Sequence, residues 1–110
     1  MQITTKHPSE DTVIITLDGR FDIEEVINFE SSCGEFLKSG FRNICLDLSE
    51  LKYIDSSGIG SLIKTMNITK NENASLVLLD VQPDIMKIFK LAYLDKFFTI
   101  TTRNDFFKKK

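Results

Sequence analysis

Histidine and cysteine are scarce in this 110-residue chain: His7 stands alone, and the only thiols are Cys33 and Cys45. Neither cysteine belongs to a CxxC pair or stands near a second ligand type. Both read as small buried apolar residues, Cys33 on a helix face and Cys45 within a strand. One histidine beside Pro8 cannot build a metal site unless the fold supplies carboxylates, so His7 reads as a surface residue and neither metal nor cofactor is expected. No apolar run is long enough to span a bilayer, and Met1-Gln2-Ile3-Thr4-Thr5-Lys6 lacks the charged and apolar regions of a secretory signal. The expected location is the cytoplasm. A basic excess is missing as well. With a net charge of -2 and no basic stripe interleaved with aromatics, nucleic-acid binding has no electrostatic support. The Lys108-Lys109-Lys110 cluster after Phe106 and Phe107 reads as a solvated tail.

What is present is the mixture of an ordinary globular protein, 42% hydrophobic and 27% charged, which argues against disorder. The length suits a single domain over residues 1–110. Val13, Ile15 and Leu17 alternate with Ile14 over Thr12 to Asp18, which predicts a strand, and a short strand around Gln2 to Lys6 pairs with it as a hairpin. Asp22, with Glu25 three positions on, reads as an N-cap and capping box ahead of Val26, Phe29, Cys33, Phe36 and Leu37, which share one helical face. Gly40 supplies a left-handed stop, and Asn43 to Leu48 alternates as the next strand. Ile59, Leu62, Ile63 and Met66 recur at helical spacing and leave Ser61, Lys64, Thr65 and Asn67 outward. Leu76-Val77-Leu78-Leu79 predicts a central strand covered on both faces. Pro83 opens a third helix with Ile85, Ile88, Phe89 and Ala92 as its buried stripe, Phe98 and Ile100 suggest a last strand, and Asn104 to Phe107 a terminal helical turn. This order calls for an α/β fold: a mixed, largely parallel sheet of four to five strands with amphipathic helices packed against it.

The densest information lies in Leu46 to Gly60, which reads as a buried strand running into a helix whose first turn carries Ser57. Backbone N–H groups in a first helical turn lack intrahelical partners and carry the positive end of the helix dipole, so an anion attached there finds donors. Nucleophilic catalysis fits poorly. A nucleophile elbow needs glycine two positions before and after the serine, where Asp55 and Ile59 stand, and a serine without a base is a weak nucleophile. Ser57-Gly58-Ile59-Gly60 is also too short for a phosphate-cradling loop and lacks its lysine. Two plainer readings stay open: Asp55-Ser56-Ser57 as a helix-capping cluster, and the two glycines as points of close helix-to-sheet packing.

The run from Asp47-Leu48-Ser49 through Tyr53-Ile54-Asp55-Ser56-Ser57-Gly58-Ile59-Gly60 closely resembles the phosphorylatable motif of bacterial anti-sigma factor antagonists, which have the STAS fold. Leu17-Asp18-Gly19-Arg20-Phe21-Asp22 looks like the family's turn after its second strand, and Ile88 to Phe98 like its final helix and strand. The resemblance implies a non-enzymatic regulator of transcription with Ser57 as its phosphorylation site. Asp22 matches the acidic position near that serine, and the partner-binding or switch surface takes in Asp22, Asp55, Ser56, Ser57, Gly58, Ile59 and Gly60. It further implies an anti-sigma factor that is itself a serine kinase as partner, bound by the unmodified protein so that a sigma factor is released, and a metal-dependent serine phosphatase that restores the modified form. The fold also serves stress-signalling scaffolds and transporter accessory proteins, which stand as alternatives, with a small serine hydrolase as a third. Two departures stand out. Ala92-Tyr93 replaces a small, often glycine-containing pair, and the chain stops soon after Phe107, which leaves apolar surface bare unless Phe106 and Phe107 fold back over it.

Overall fold

Strand alternation sets the frame. In the computed structural model, which describes residues 1–108, β1 (Gln2–Ser9) and β2 (Thr12–Phe21) form the expected antiparallel hairpin. A 3₁₀ turn at Ile23–Glu25 leads into α1 (Val26–Lys38), followed by β3 (Asn43–Asp47), β4 (Leu51–Ile54), α2 (Ser56–Asn71), β5 (Ser75–Leu79), α3 (Pro83–Leu91), β6 (Thr99–Thr101) and α4 (Arg103–Lys108). The reading of Lys109 and Lys110 as solvated tail lies outside the described residues.

The sheet runs β1-β2-β3-β5-β6 with β4 beside β2, parallel at every junction except the first hairpin. It has six strands, one more than the alternation predicts. The added strand is β4, whose four residues bury only Leu51 and Ile54 and leave Lys52 and Tyr53 exposed, too short a pattern to stand apart from β3. β2 serves both neighbours: its first half pairs with β3, and beyond an irregularity at Gly19/Arg20 its end pairs with β4, Phe21 opposite Ile54. Side chains of successive strand residues point to opposite faces. Val13, Ile15, Leu17, Ile44, Leu46, Leu76 and Leu78 therefore enter the main core under α1 to α3, with Phe29, Cys33, Leu62, Met66, Ile85 and Phe89.

Three expectations need correction. Ser61 and Thr65 are buried, because α2 is wedged between the sheet and α1, where small hydroxylated residues permit close approach. Ala92 is exposed and caps α3 rather than extending its apolar stripe. The Asp22 capping box does not close. The Asp22 carboxylate accepts the Glu24 N–H at 3.1 Å, and the Glu25 carboxylate instead accepts the chain's N-terminal ammonium at 3.4 Å.

The second sheet face, Ile14, Cys45, Val77 and Leu79, is covered by Phe106 and Phe107 of α4, so the two aromatics do fold back. Arg103 latches this helix: its guanidinium donates to the Asp47 carboxylate at 2.6 Å. Asp47 is only 7% exposed and also accepts the Ser49 N–H at 3.0 Å and the Ser49 hydroxyl at 2.7 Å. Burial pushes its carboxyl up, but the Ser49 bonds and the Arg103 guanidinium outweigh this and hold it below the ordinary range. The sign follows. The latch is at full strength above the usual aspartate range and is lost as pH falls through the lowered folded-state value. Hydrogen exchange should show α4 opening on the acid side before the main core, and Asp47→Asn should open it at neutral pH.

Three helices end in one motif. Gly40, Asn73 and Tyr93 each adopt a left-handed backbone, φ 97°, 59° and 58°, after α1, α2 and α3. In each case the next N–H reaches back to the helix, Phe41 to Phe36, Ala74 to Thr69 and Leu94 to Phe89. Glycine and asparagine suit this conformation, whereas a bulky side chain there costs about 1–2 kcal/mol. Tyr93 is 84% exposed, so packing does not offset the strain. Allowing for glycine's greater freedom in the unfolded chain, Tyr93→Gly should stabilise the fold by roughly 0.5–1 kcal/mol, read as a rise in Tm of about 2–4 °C.

Candidate functional site

The local geometry at Ser57 begins with two parallel strand ends. Phe21 of β2 and Ile54 of β4 are register partners, and each is followed by an aspartate that caps the helical turn after it. Asp55 lies in extended backbone and its carboxylate accepts the Gly58 N–H at 3.1 Å. The Asp55 N–H donates to the Phe21 carbonyl at 3.3 Å, and the Ile59 N–H makes the first helical bond, to the Asp55 carbonyl, at 2.9 Å. Ser56 and Ser57 occupy the first two positions of α2, Ser56 exposed and Ser57 half-buried. Among the described residues nothing accepts from their N–H groups, and neither hydroxyl has a hydrogen-bond partner. Two free amides and two free hydroxyls thus share one turn at the positive end of a 16-residue helix.

The glycines differ. A Cβ on Gly58 would stand 2.6 Å from the Phe21 carbonyl oxygen and 2.7 Å from Ile54 Cγ1, so the backbone of α2 can approach β2 only because that atom is missing. At Gly60 nothing lies within 4 Å of an added Cβ, and the residue is exposed, so the close-packing reading holds for Gly58 and not for Gly60. Ile59 is half-buried and packs on the core, leaving Gly60 as a flat spot on the outer face.

Asp22, Asp55, Ser56, Ser57, Gly58 and Ile59 are therefore brought together at one end of the sheet, with Gly60 a turn along α2. Two further features escape the sequence reading, an exposed isoleucine pair and a glutamate. Ile23 and Ile27, 66% and 80% exposed, stand one helical turn apart, beside the acidic cap and outside the buried stripe of α1. Their i, i+4 spacing is the signal that marks them. The second is Glu30 of α1, which accepts the Ser61 hydroxyl at 2.8 Å and the Lys64 ammonium at 3.0 Å and so ties α1 to α2. Partial burial pushes the Glu30 carboxyl up, but its bonds from Lys64 and Ser61, with the Lys64 charge, hold it below the ordinary value. Burial, and after it the charge of Glu30, push the Cys33 thiol up to about 12, so this cysteine is chemically quiet.

Among the described residues no group of three or more His, Cys, Asp or Glu side chains is placed to hold a metal ion, and no helix is long and apolar enough to cross a membrane. A cavity of about 440 Å³ lies between β1 and α1, lined by residues that include Ile3, Asn28, Glu35 and Phe36, and contains no predicted site residue. The site is a helix start with Ser56 and Gly60 exposed, a surface open to contact with another macromolecule.

The fold is an α/β sheet, mostly parallel, with two aspartate-capped turns side by side at one end. The STAS domain family profile matches residues 2–106, and the chain belongs to that family. It is similar to a STAS-domain containing protein of Pseudomonas aeruginosa (strain UCBPP-PA14), 29% identical over 99 residues, 88% of this chain and 97% of that one. It is also similar to the anti-sigma-B factor antagonist of Staphylococcus aureus, 25% identical over 80 residues, 73% of this chain and 74% of that one. SpoIIAA of Bacillus has the same fold in both its forms. The unphosphorylated structure gives a TM-score of 0.75 at 19% identity, covering 98% of this chain and 96% of that one, and the phosphorylated structure 0.76 at 20% identity, covering 98% of each. Both the Staphylococcus aureus relative and SpoIIAA are named as antagonists of an anti-sigma factor.

The two glycines separate experimentally. Gly58→Ala should destabilise the fold by about 1–3 kcal/mol, because backbone rather than a movable side chain opposes the new methyl. Gly60→Ala should leave stability unchanged or raise it by up to about 1 kcal/mol, since it adds helix propensity on an open face. Chemical denaturation of the two variants checks both.

Proposed function

We propose that the protein is a partner-switching antagonist of an anti-sigma factor: unmodified, it binds a serine-kinase anti-sigma factor and releases a sigma factor, and phosphorylation of Ser57 ends that binding. The observation that carries this reading is the first turn of α2, where Ser57 stands beside unpaired N–H groups of its own turn and, among the described residues, no histidine or lysine hydrogen-bonds its hydroxyl. Such a serine accepts a phosphoryl group better than it attacks a substrate. The geometry offers Ser56 as well as Ser57. The choice of Ser57 rests on the match of Asp55-Ser56-Ser57-Gly58 to the antagonist motif.

Charge supplies the switch. Transfer of the γ-phosphoryl group of ATP to the Ser57 oxygen, with loss of the hydroxyl proton and release of ADP, adds about -1.5 to -2 at neutral pH. Asp55 and Asp22 oppose that charge, while the helix dipole offsets part of it, by about 0.3–1 kcal/mol at an exposed site. The modified domain stays folded, because α2 is held by Leu62, Met66 and the Gly58 approach and not by the serine. A partner seated over Ser57, Gly60, Ile23 and Ile27 would have to desolvate the phosphate without a matching cation, which lowers affinity by orders of magnitude.

Incubation with ATP and the cognate kinase, followed by peptide mapping, should place one phosphate on Ser57. A phosphate on Ser56, or none, overturns the assignment. By calorimetry with the anti-sigma factor, Ser57→Asp should bind at least 100-fold more weakly than the unmodified protein, and Ser57→Ala should keep its affinity whether or not ATP is present.

A further inference from the structure

We propose that the domain associates head to tail with a second copy of itself, the basic end beyond α3 of one molecule docking on the acidic end around Ile23 and Ile27 of the next. This does not rest on phosphorylation of Ser57, although its acidic face shares Ile23 and Ile27 with the partner surface proposed above.

The topology sets the two ends. β2, β3, β4 and β5 run parallel, and α2 and α3 start where β4 and β5 finish, so both helices run back and end at the far pole. The 16 residues of α2 put about 22 Å between Ser56 and Asn71. At that far pole two large apolar side chains stand in solvent, Leu91 at 83% exposure and Tyr93 at 84%. Tyr93 holds a left-handed backbone that glycine or asparagine holds at the two sister helix ends, and the strained aromatic contributes little to the core. A strained, unpacked residue of this kind points to a role outside the fold. Around it are the exposed Lys70, Lys87, Lys90 and Lys96, and with Lys38 and Arg42 the cations of this pole outnumber its carboxylates Glu10, Asp11, Glu72 and Asp95. Lys70 lies 5.6 Å from the centre of the Phe97 ring, which brings the end of α2 against the turn after α3.

The opposite pole is its complement. Exposed Ile23 and Ile27 are surrounded by Asp22, Glu24, Glu25 and Asp55. The nearby cations are fewer than the carboxylates: Arg20, 4.0 Å over the Tyr53 ring, Lys52, paired with Glu50 at 3.6 Å, and the N-terminal ammonium, paired with Glu25 at 3.4 Å, against Asp22, Glu24, Glu25, Glu50 and Asp55. Each pole thus carries two exposed apolar anchors and an excess of one charge, and the other pole carries the opposite excess. Because the two surfaces differ, the contact is heterologous and open-ended, and its small size makes it weak. A molecule whose acidic end is occupied by another partner would terminate the chain.

Sedimentation velocity of the full chain tests this at about 10 mM ionic strength, where the screening length is about 30 Å, and at about 1 M, where it is about 3 Å. Association should rise with concentration in low salt and vanish in high salt. Leu91→Ser/Tyr93→Gly and Ile23→Ser/Ile27→Ser, each altering one pole, should be monomeric alone, yet a 1:1 mixture should form a dimer and nothing larger, since one intact face of each kind remains. Lys90→Glu and Glu24→Lys give a second pair made without apolar changes. Each alone should weaken association at least tenfold, and circular dichroism should show all four variants folded. A wild-type protein that stays monomeric in low salt overturns the proposal. So does either double variant that still associates alone, or a mixture that stays monomeric.

Discussion

The approach of α2 to the end of β2 is the contact on which the rest depends. Gly58 brings helix backbone against the Phe21 carbonyl, and that carbonyl also accepts the Asp55 N–H that precedes the helix. Phe21 in turn packs edge-on against Phe29 of α1, ring centres 4.9 Å apart. One missing side chain therefore couples the start of α2, the end of β2 and the buried face of α1. The serine pair rides on this junction without taking part in it, so its hydroxyls are free for chemistry that leaves the fold intact.

A second pair of constraints holds the layers apart from the site. Glu30 collects Ser61 and Lys64 from α2 and fixes the angle between the two helices, a role open to it because its carboxylate stays charged at the rim of the core. On the other side of the sheet, Asp47 and Arg103 hold the short α4 over four apolar side chains that water would otherwise reach. Both devices join segments far apart in sequence. Each places an ion pair where hydrogen bonds from serine share the task of keeping a partly buried carboxylate ionised.

Charge is distributed unevenly along the axis of the parallel strands. Carboxylates gather where the strands end and the capped turns begin, since aspartate is the residue that best satisfies free N–H groups there. Lysines gather where α2 and α3 end, and the same dipole favours them at that pole. Local helix chemistry, repeated on parallel elements, thus gives the whole domain an acidic and a basic end.

Much of the fold was legible in the residues alone, because period-two alternation in β2, β3 and β5 and the helical stripes of α1 and α3 each occupy enough positions to be unambiguous. β4 was not, since four residues with only Leu51 and Ile54 buried carry too little pattern. Ser61 and Thr65 looked solvent-facing because hydroxyls count as polar, and only the wedge between α1 and the sheet makes them interior. At the candidate site, the residue types from Asp55 to Gly60 marked a helix start and their resemblance to a known motif singled out Ser57. The different duties of Gly58 and Gly60 depended on what lies across from each one, a carbonyl in one case and solvent in the other. Composition and periodicity by themselves determined the class of fold and the presence of a capped helix bearing Ser57, because those follow from local backbone preferences. Tertiary structure alone decided that Asp22 stands beside Asp55, that Ile23 and Ile27 flank them and that Arg103 finds Asp47, because strand register and helix packing bring together residues that the chain keeps apart.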